Sequence, residues 1–535
     1  MFSGSYVLAH TKKLDSLVGA LACPKCQNTS LKFAVQNRMG FAHRMVVSCV
    51  CGFTAEESTS PKIPEDDNPT RQPYEINRSV VFAGREVGLG HQEVGRFFST
   101  MNVDGGLHQK TYQSINRKVM TTLVYGPAAD TLAQSHEVVH QLYEQTYGPT
   151  DGPRNITVSY DGTWHARGHT STLGAAFAIE CHTGLVVDYC VLSKYCAECE
   201  LVGGKLEGAE KELWQEAHKP NCDRNHFGSS GAMEVEGAKM LWARSKDVGN
   251  FAYTSLVGDG DAGVLDALRT LDPYPEPVEK EECINHISKR MYKGLERAVK
   301  DKSAGVQMGG RGRMTKERMK KWSSYYRKAI VENAPNVEAA RQAVWAIFFH
   351  SISTPEEPHH TRCDPKWCWF RKAVAEGKDP KEEAKNNAHD PPLPKDVCQQ
   401  LIPLFERLAD PALLARCMTL TTSNANESLH STVWKRAPKH KNCGRKTLET
   451  AAALAVIQYN KGAVSLVDVV SSLGIEAGAI VARMTTKIDH ERIRRAEKAA
   501  LNESKTQRKK STLAKVRQEE TLEAQEGHLY SAGGH

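Results

Sequence analysis

The spacing of apolar residues changes period several times along the chain, and each change marks a different kind of element. From Tyr74 to about Tyr147 apolar positions recur at helical intervals, with Val81, Phe82, Val87, Val94, Phe97 and Phe98 followed by a run from Val138 to Tyr147. Gly88, Gly90, Gly105 and Gly106 interrupt this stretch, which predicts several short helices in one module. From Asn155 the period becomes two. Ile156 to Asp161, Leu173 to Cys181 and Leu185 to Leu192 read as strands, with His182-Thr183-Gly184 as a tight turn between the last two. A cysteine-rich stretch interrupts the alternation. A helix over Ala232 to Asp247, a strand from Tyr253 to Asp259, a helix over Ala262 to Leu271 and a short strand over Cys283 to His286 follow. From about Arg297 to Thr421 the pattern is mostly helical, most clearly over Ala339 to Phe349.

Three antiparallel strands followed by alternating helix and strand is the order of elements in a ribonuclease H-like domain. The expected class is therefore α/β: a ribonuclease H-like core with a large, mostly helical insertion, preceded by a zinc ribbon and a helical module. The corresponding layout begins with a zinc-ribbon unit (1–60), a Pro-rich polar linker from Ser60 to Pro73, and a helical module (74–150). The first part of the catalytic core (151–300) carries a zinc-binding insertion (194–228). The helical insertion (301–421), the second part of the core (422–480) and a basic charged tail (481–535) complete it. That tail, with Arg492-Ile493-Arg494-Arg495 and Arg508-Lys509-Lys510, has few large apolar groups and is expected as a solvated helix or a flexible segment.

A chain of 535 residues is too long for one small core. Its 40% hydrophobic and 25% charged residues are ordinary for a soluble globular protein. No apolar run approaches the length of a bilayer span, and a secretory pattern is not expected at the start. The net charge of +7 suits a polyanionic partner without requiring one. The 15 cysteines are more informative, because many fall in close pairs, which in a chain without an export signal read as metal sites in a reducing compartment. Cys23, Cys26, Cys49 and Cys51 can place four thiolates around one structural zinc. Cys196 and Cys199 with His218 and Cys222 form a second set, in which His226 competes with His218. His350, His360, Cys363 and Cys368 form a third, whose spacing also suits a packed core with incidental histidines. All three would be closed, structural sites.

Carboxylates carry the remaining chemistry. Asp161 closes one alternating run, Asp259 closes another, and Glu427 opens a helix beyond the insertion. Singly, each has an ordinary reading as a turn residue or a solvated helical acid. Together, two strand-borne acids and one helix-borne acid can hold two divalent metals for in-line phosphoryl transfer on nucleic acid. Asp261 competes with Asp259, which lies nearer the strand end.

The motifs around these acids resemble those of the Mutator-like transposases, specifically the transposase domain abundant in invertebrate genomes. The resemblance rests on Ser159-Tyr160-Asp161-Gly162-Thr163-Trp164, Arg167-Gly168-His169, Asp188-Tyr189-Cys190-Val191-Leu192-Ser193 and Ser230-Gly231-Ala232-Met233-Glu234. It continues in Gly258-Asp259-Gly260-Asp261, Cys283-Ile284-Asn285-His286 with the following Ile287-Ser288-Lys289-Arg290-Met291, Asn424-Ala425-Asn426-Glu427-Ser428 and Tyr459-Asn460-Lys461-Gly462. It implies a DDE transposase with Asp161, Asp259 and Glu427 as the acids and two Mg2+ (or Mn2+) ions per active site. Cys283-x-x-His286 looks like the Cys/Asp-x-x-His signature that places a histidine near the scissile phosphate, with Lys289 and Arg290 available to neutralise DNA phosphates. The implied activity is cutting transposon ends and joining the 3'-hydroxyl to target DNA, in the nucleus, by a homodimer or higher oligomer. A domesticated, non-catalytic DNA-binding protein and a nuclease without strand transfer are the alternatives.

Overall fold

The computed structural model describes residues 5–64, 72–166, 170–258, 262–301, 303, 305–354, 356–380, 382–383, 391–508, 510–511, 514–515 and 518. Asp259, Asp261 and the Arg167-Gly168-His169 segment therefore lie outside the described residues.

Helix α1 (Thr11–Gly19) precedes an antiparallel sheet of β1 (Lys32–Met39), β2 (Ala42–Ser48) and β3 (Thr54–Ser58), in that order. The helical stretch becomes α2 (Glu75–Glu86), α3 (His91–Thr100), α4 (Gln109–Leu123) and α5 (Ala129–Tyr147). Gly88 makes the break after α2: its φ is 73°, and a Cβ there would come 2.7 Å from the Lys435 carbonyl oxygen. Three strands follow, β4 (Arg154–Trp164), β5 (Leu173–Glu180) and β6 (Val186–Ser193). Next come α6 (Ala197–Leu201), α7 (Gly208–His218), α8 (Ala232–Gly249), β7 (Phe251–Gly258), α9 (Ala262–Leu271) and β8 (Glu279–Glu282). The helical region contains α10 (Ile284–Lys300), α11 (Lys316–Asn333), α12 (Val337–Ile352), α13 (Trp369–Ala375), α14 (Lys395–Leu408) and α15 (Pro411–Ala415). The chain then forms α16 (Asn424–Arg436), α17 (Arg445–Lys461), α18 (Leu466–Ser472) and α19 (Ala479–Ala500).

Two of these boundaries differ from expectation. The short strand lies at Glu279–Glu282, and Cys283 instead caps the helix that begins at Ile284. Strand β4 runs past Asp161 to Trp164, so Asp161 sits within the strand and does not close it.

The second sheet is five-stranded, mixed and ordered β6-β5-β4-β7-β8. Strands β5 and β6 pair antiparallel from Leu173↔Ser193 onward. Strands β7 and β8 pair parallel, from Ser255↔Glu279 to Gly258↔Glu282. Every residue of β5 is buried, as its nearly unbroken apolar sequence requires.

The chain divides into two compact units. One gathers residues 1–155, 161–252 and 425–493. Its core sets Leu173, Ala175, Phe177 and Ile179 of β5 against Leu429 and Val433 of α16 and Leu448, Ala452 and Val456 of α17. The other gathers residues 156–160, 253–424 and 494–535. Its core is helical, with Ile287 and Met291 of α10 meeting Trp322 and Tyr326 of α11, Phe348 of α12 and Phe405 of α14. Each large apolar side chain fully buried in this way contributes about 1.5–3 kcal/mol. Among the described residues no helix is long and apolar enough to cross a membrane.

Candidate active site and metal centres

Strand β4 presents Asp161 and Thr163 on one face, by the two-residue period of a strand. Helix α16 lies against that face. The Nε1–H of Trp434 donates to Thr163 Oγ1 at 2.8 Å. One helical turn earlier, His430 Nδ1 is 3.8 Å from Asp161 Oδ2. Strand and helix each advance roughly 6 Å between these two contacts, so they run alongside one another. Glu427 is exposed one further turn toward the start of α16, on the same side of the helix as His430. On the opposite face of the strand the Trp164 ring covers both Gly162 and Gly174. A Cβ on Gly174 would come 2.1 Å from that ring, and one on Gly162 2.6 Å.

His430 was not singled out in the sequence. Its ring is 12% exposed, and its Nε2 is buried without a hydrogen-bond partner. Burial pushes its pKa down to about 4, against the opposing pull of its hydrogen bond to the Asp161 backbone. Asp161, 31% exposed, thus has a neutral imidazole as its neighbour. The one available signal was position, three residues after a suspected acid on a predicted helix.

The second acid, Asp259, lies outside the described residues, but the backbone leading to it does not. Arg154 N donates to Asn250 O at 2.9 Å, at the start of β4 and of β7. At the other end, a Cβ on Gly258 would lie 4.0 Å from Tyr160 O. Strands β4 and β7 therefore run in the same direction, with Tyr160 and Gly258 as neighbours.

Cys283-x-x-His286 is a compact local unit. The backbone N–H and the hydroxyl of Ser423 both donate to Cys283 Sγ at 3.3 Å, and Ser423 Oγ is 3.5 Å from His286 Nδ1. Burial raises the Cys283 pKa, but hydrogen bonds from His286 and Ser423 outweigh it and bring the thiol down to about 6. His286 itself is half-buried at the first turn of α10. The stitching continues on either side, with Glu282 N donating to Arg416 O at 2.8 Å and Ile284 N to Thr421 O at 3.0 Å. Arg290, expected to face phosphate, is committed elsewhere: its guanidinium bonds both oxygens of the buried Glu282, at 2.7 and 3.3 Å. Lys289 is exposed.

All three cysteine and histidine sets assemble, with the ligand atoms of each within 4.8 Å of one another. In the first, Cys23 and Cys51 sulfurs are 3.6 Å apart and Cys26 and Cys49 sulfurs 3.7 Å. Thiolates about 2.3 Å from a shared tetrahedral ion stand roughly 3.8 Å from each other, so the donor set fits zinc. In the second, Cys196 Sγ is 3.3 Å from His218 Nε2, and Cys199 and Cys222 sulfurs are 3.5 Å apart. Glu198 lies 3.1 Å from His218 Nδ1, the carboxylate support that a ligating histidine commonly has. The set that assembles contains His218 and not its competitor His226, whose Nε2 bonds Ser229 O at 2.9 Å. In the third, His350 Nδ1 and His360 Nδ1 are 3.2 Å apart, and Cys363 and Cys368 lie 3.5–3.8 Å from them. Ser353 Oγ holds His360 Nε2 at 2.8 Å. Hydrogen bonding from Cys363, then from His350 and His360, draws the Cys368 thiol well below its ordinary range despite burial, toward the thiolate that a metal binds. These sets are compatible with zinc binding.

Among curated proteins the chain has no match. The family model of Mutator-like transposases matches residues 6–368, more than half of the 535. That stretch contains all three ligand sets, Asp161, Asp259 and His286, and ends before Glu427. The chain belongs to the Mutator-like transposase family.

Proposed function

We propose that the protein is a DDE transposase of the invertebrate Mutator-like type, which cuts transposon ends and joins the freed 3'-hydroxyl to target DNA. The observation that carries this reading is the packing of α16 on β4, which sets His430, one turn from Glu427, against Asp161. The closeness of Tyr160, within β4, to Gly258 at the end of β7 supports Asp259 as the second acid. The strand order, with antiparallel β5 and β6 on one side of β4 and parallel β7 and β8 on the other, supports a ribonuclease H-like core. The three-stranded sheet with its four clustered cysteines supports a zinc ribbon.

Asp161, Asp259 and Glu427 offer the hard oxygen donors suited to Mg2+ or Mn2+. A pair of such ions, when bound, supplies the charge that activates water or a 3'-hydroxyl and steadies the leaving oxygen of an in-line displacement. The protein's own residues set the stage for that chemistry. His430 supports the backbone at Asp161 while remaining uncharged, so it does not compete for the carboxylate as a cation would. His286, whose Nδ1 is 3.5 Å from Ser423 Oγ, would donate to a phosphate oxygen. Terminal-repeat recognition falls to the zinc ribbon and the α2–α5 module, and pairing of two ends calls for a dimer or larger assembly in the nucleus.

The test is divalent-metal-dependent cleavage of a duplex carrying the element's end. Asp161→Ala and Glu427→Gln should each reduce cleavage at least a hundredfold while leaving DNA binding within a few-fold, since their charge acts on the transition state. Cleavage by Asp161→Ala at the parent rate would refute the assignment. Cleavage without joining of the 3'-hydroxyl would identify a nuclease, and binding without cleavage by the parent a domesticated binder.

A further inference from the structure

Helix α10 buries Ile284, Ile287, Met291 and Leu295. On the opposite face stand His286, Lys289, Lys293, Arg297 and Lys300, spaced by three, four, four and three residues. At about 100° per residue these five fall within roughly 80° of one another, in a line about 21 Å long. The four cations are exposed and the histidine is half-buried. Helix α11 flanks the line with more positive charge. Lys320 Nζ lies 4.4 Å above the Tyr292 ring, and Arg327 Nε bonds Asn285 Oδ1 at 3.3 Å. Glu296 interrupts near the far end, where it pairs with Lys300 at 3.4 Å.

We infer that this face of α10, flanked by Lys320 and Arg327, is a track for one phosphodiester strand of duplex DNA, leading away from His286 along the helical insertion. The inference rests on the transposase reading for the position of the reacting phosphate at His286. It commits to DNA because the line is straight, single-signed from His286 to Lys293 and free of large apolar side chains, which an acidic protein partner would want to bury. A strand of B-form DNA rises ~3.4 Å per phosphate along the duplex axis while winding around it, so ~21 Å of protein helix laid along the strand meets fewer than about six phosphates. The commonplace alternative is a solvated helix face with no ligand.

The test uses the full-length protein and a fluorescent duplex of mixed sequence, titrated at several salt concentrations. Each phosphate contact adds about 0.9 to the slope of log affinity against log salt. The combined Lys289→Gln, Lys293→Gln, Arg297→Gln variant should therefore lower the slope by about 2 to 3 and affinity at low salt by about ten- to a hundredfold. Lys205→Gln, Lys211→Gln, Lys219→Gln removes the same charge from the second zinc region and should leave the slope near the parent's. Glutamine is a good helix former, and Lys293→Gln alone, expected to lower the slope by about 1, guards against a misfolded triple variant. Equal slopes for parent and α10 variant, or equal losses in both triple variants, overturn the track. Cleavage by the parent in the metal-dependent assay would then still stand, so the track can fail while the transposase reading survives. A parent that binds no duplex overturns both.

Discussion

Asp161 owes its setting to a histidine that cannot afford a proton. With its folded pKa near 4, His430 stays neutral where an unfolded chain would begin to protonate it, near 6.5. The unfolded state therefore binds more protons between those values, and stability falls as pH drops from about 6.5 to 4. In metal-free protein, His430→Gln should flatten the pH dependence of the urea midpoint over that window; an unchanged profile would contradict the buried, neutral ring. A second residue-scale pair is Asp188, within one of the recognised motifs. Its 3% exposed carboxylate is held by Arg244 through both oxygens, at 2.7 and 2.9 Å. Arg244→Met would leave that charge buried without its cation, and a loss of about 3–5 kcal/mol in urea unfolding is expected. The residue type was legible in sequence; the partner, 56 positions away, was not.

At the scale of elements, apolar periodicity placed most helices and strands and failed where burial does not follow it. Strand β8 is Glu-Lys-Glu-Glu, which no alternation rule would select; it exists because β7 offers it a parallel edge. The motif at Cys283 looked like a short strand because four residues are too few to reveal a helical period. Ile284, Ile287, Met291 and Leu295 reveal it only over the full helix. The close cysteine pairs were legible because a ligand pair is local chemistry, whereas spacing left His218 against His226 in the second set, and zinc against a packed core in the third, for the folded chain to decide. Metal analysis checks them: the double variant Cys196→Ser, Cys199→Ser should carry about one zinc fewer per chain than the parent. Glu198→Gln should retain the metal but release it faster to a chelator, by about tenfold or more.

For the whole molecule, neither compact unit is a continuous piece of chain, and no composition shift in the sequence announces that. The unit containing β5 and β6 is completed by α16 and α17, more than 200 residues further on by sequence number. A protein ending at Cys368, where the family match ends, would leave Leu173, Ala175, Phe177 and Ile179 without Leu429, Val433 and Ala452. Such a truncation is expected to aggregate or to be digested rapidly in limited proteolysis, whereas the full chain should yield protected fragments. The acids show the same limit: Asp161, Asp259 and Glu427 were recognisable as types, but only packing supplies the helix-on-strand contact of His430 with Asp161.

The hydrogen bonds at Glu282, Cys283 and Ile284 have a topological consequence. Cys283 and Ser423 are 140 residues apart in sequence yet joined sulfur to backbone. Seen from the strand that leads into it, everything from α10 to α15 amounts to one hairpin bend with a heavy head. Closing a loop costs little more when the loop is longer, since each doubling adds only about 0.6 kcal/mol. The head can therefore grow, shrink or be exchanged between relatives while the short stem at Cys283 and Ser423 keeps the same register, and the segment that leads to Glu427 keeps its starting point.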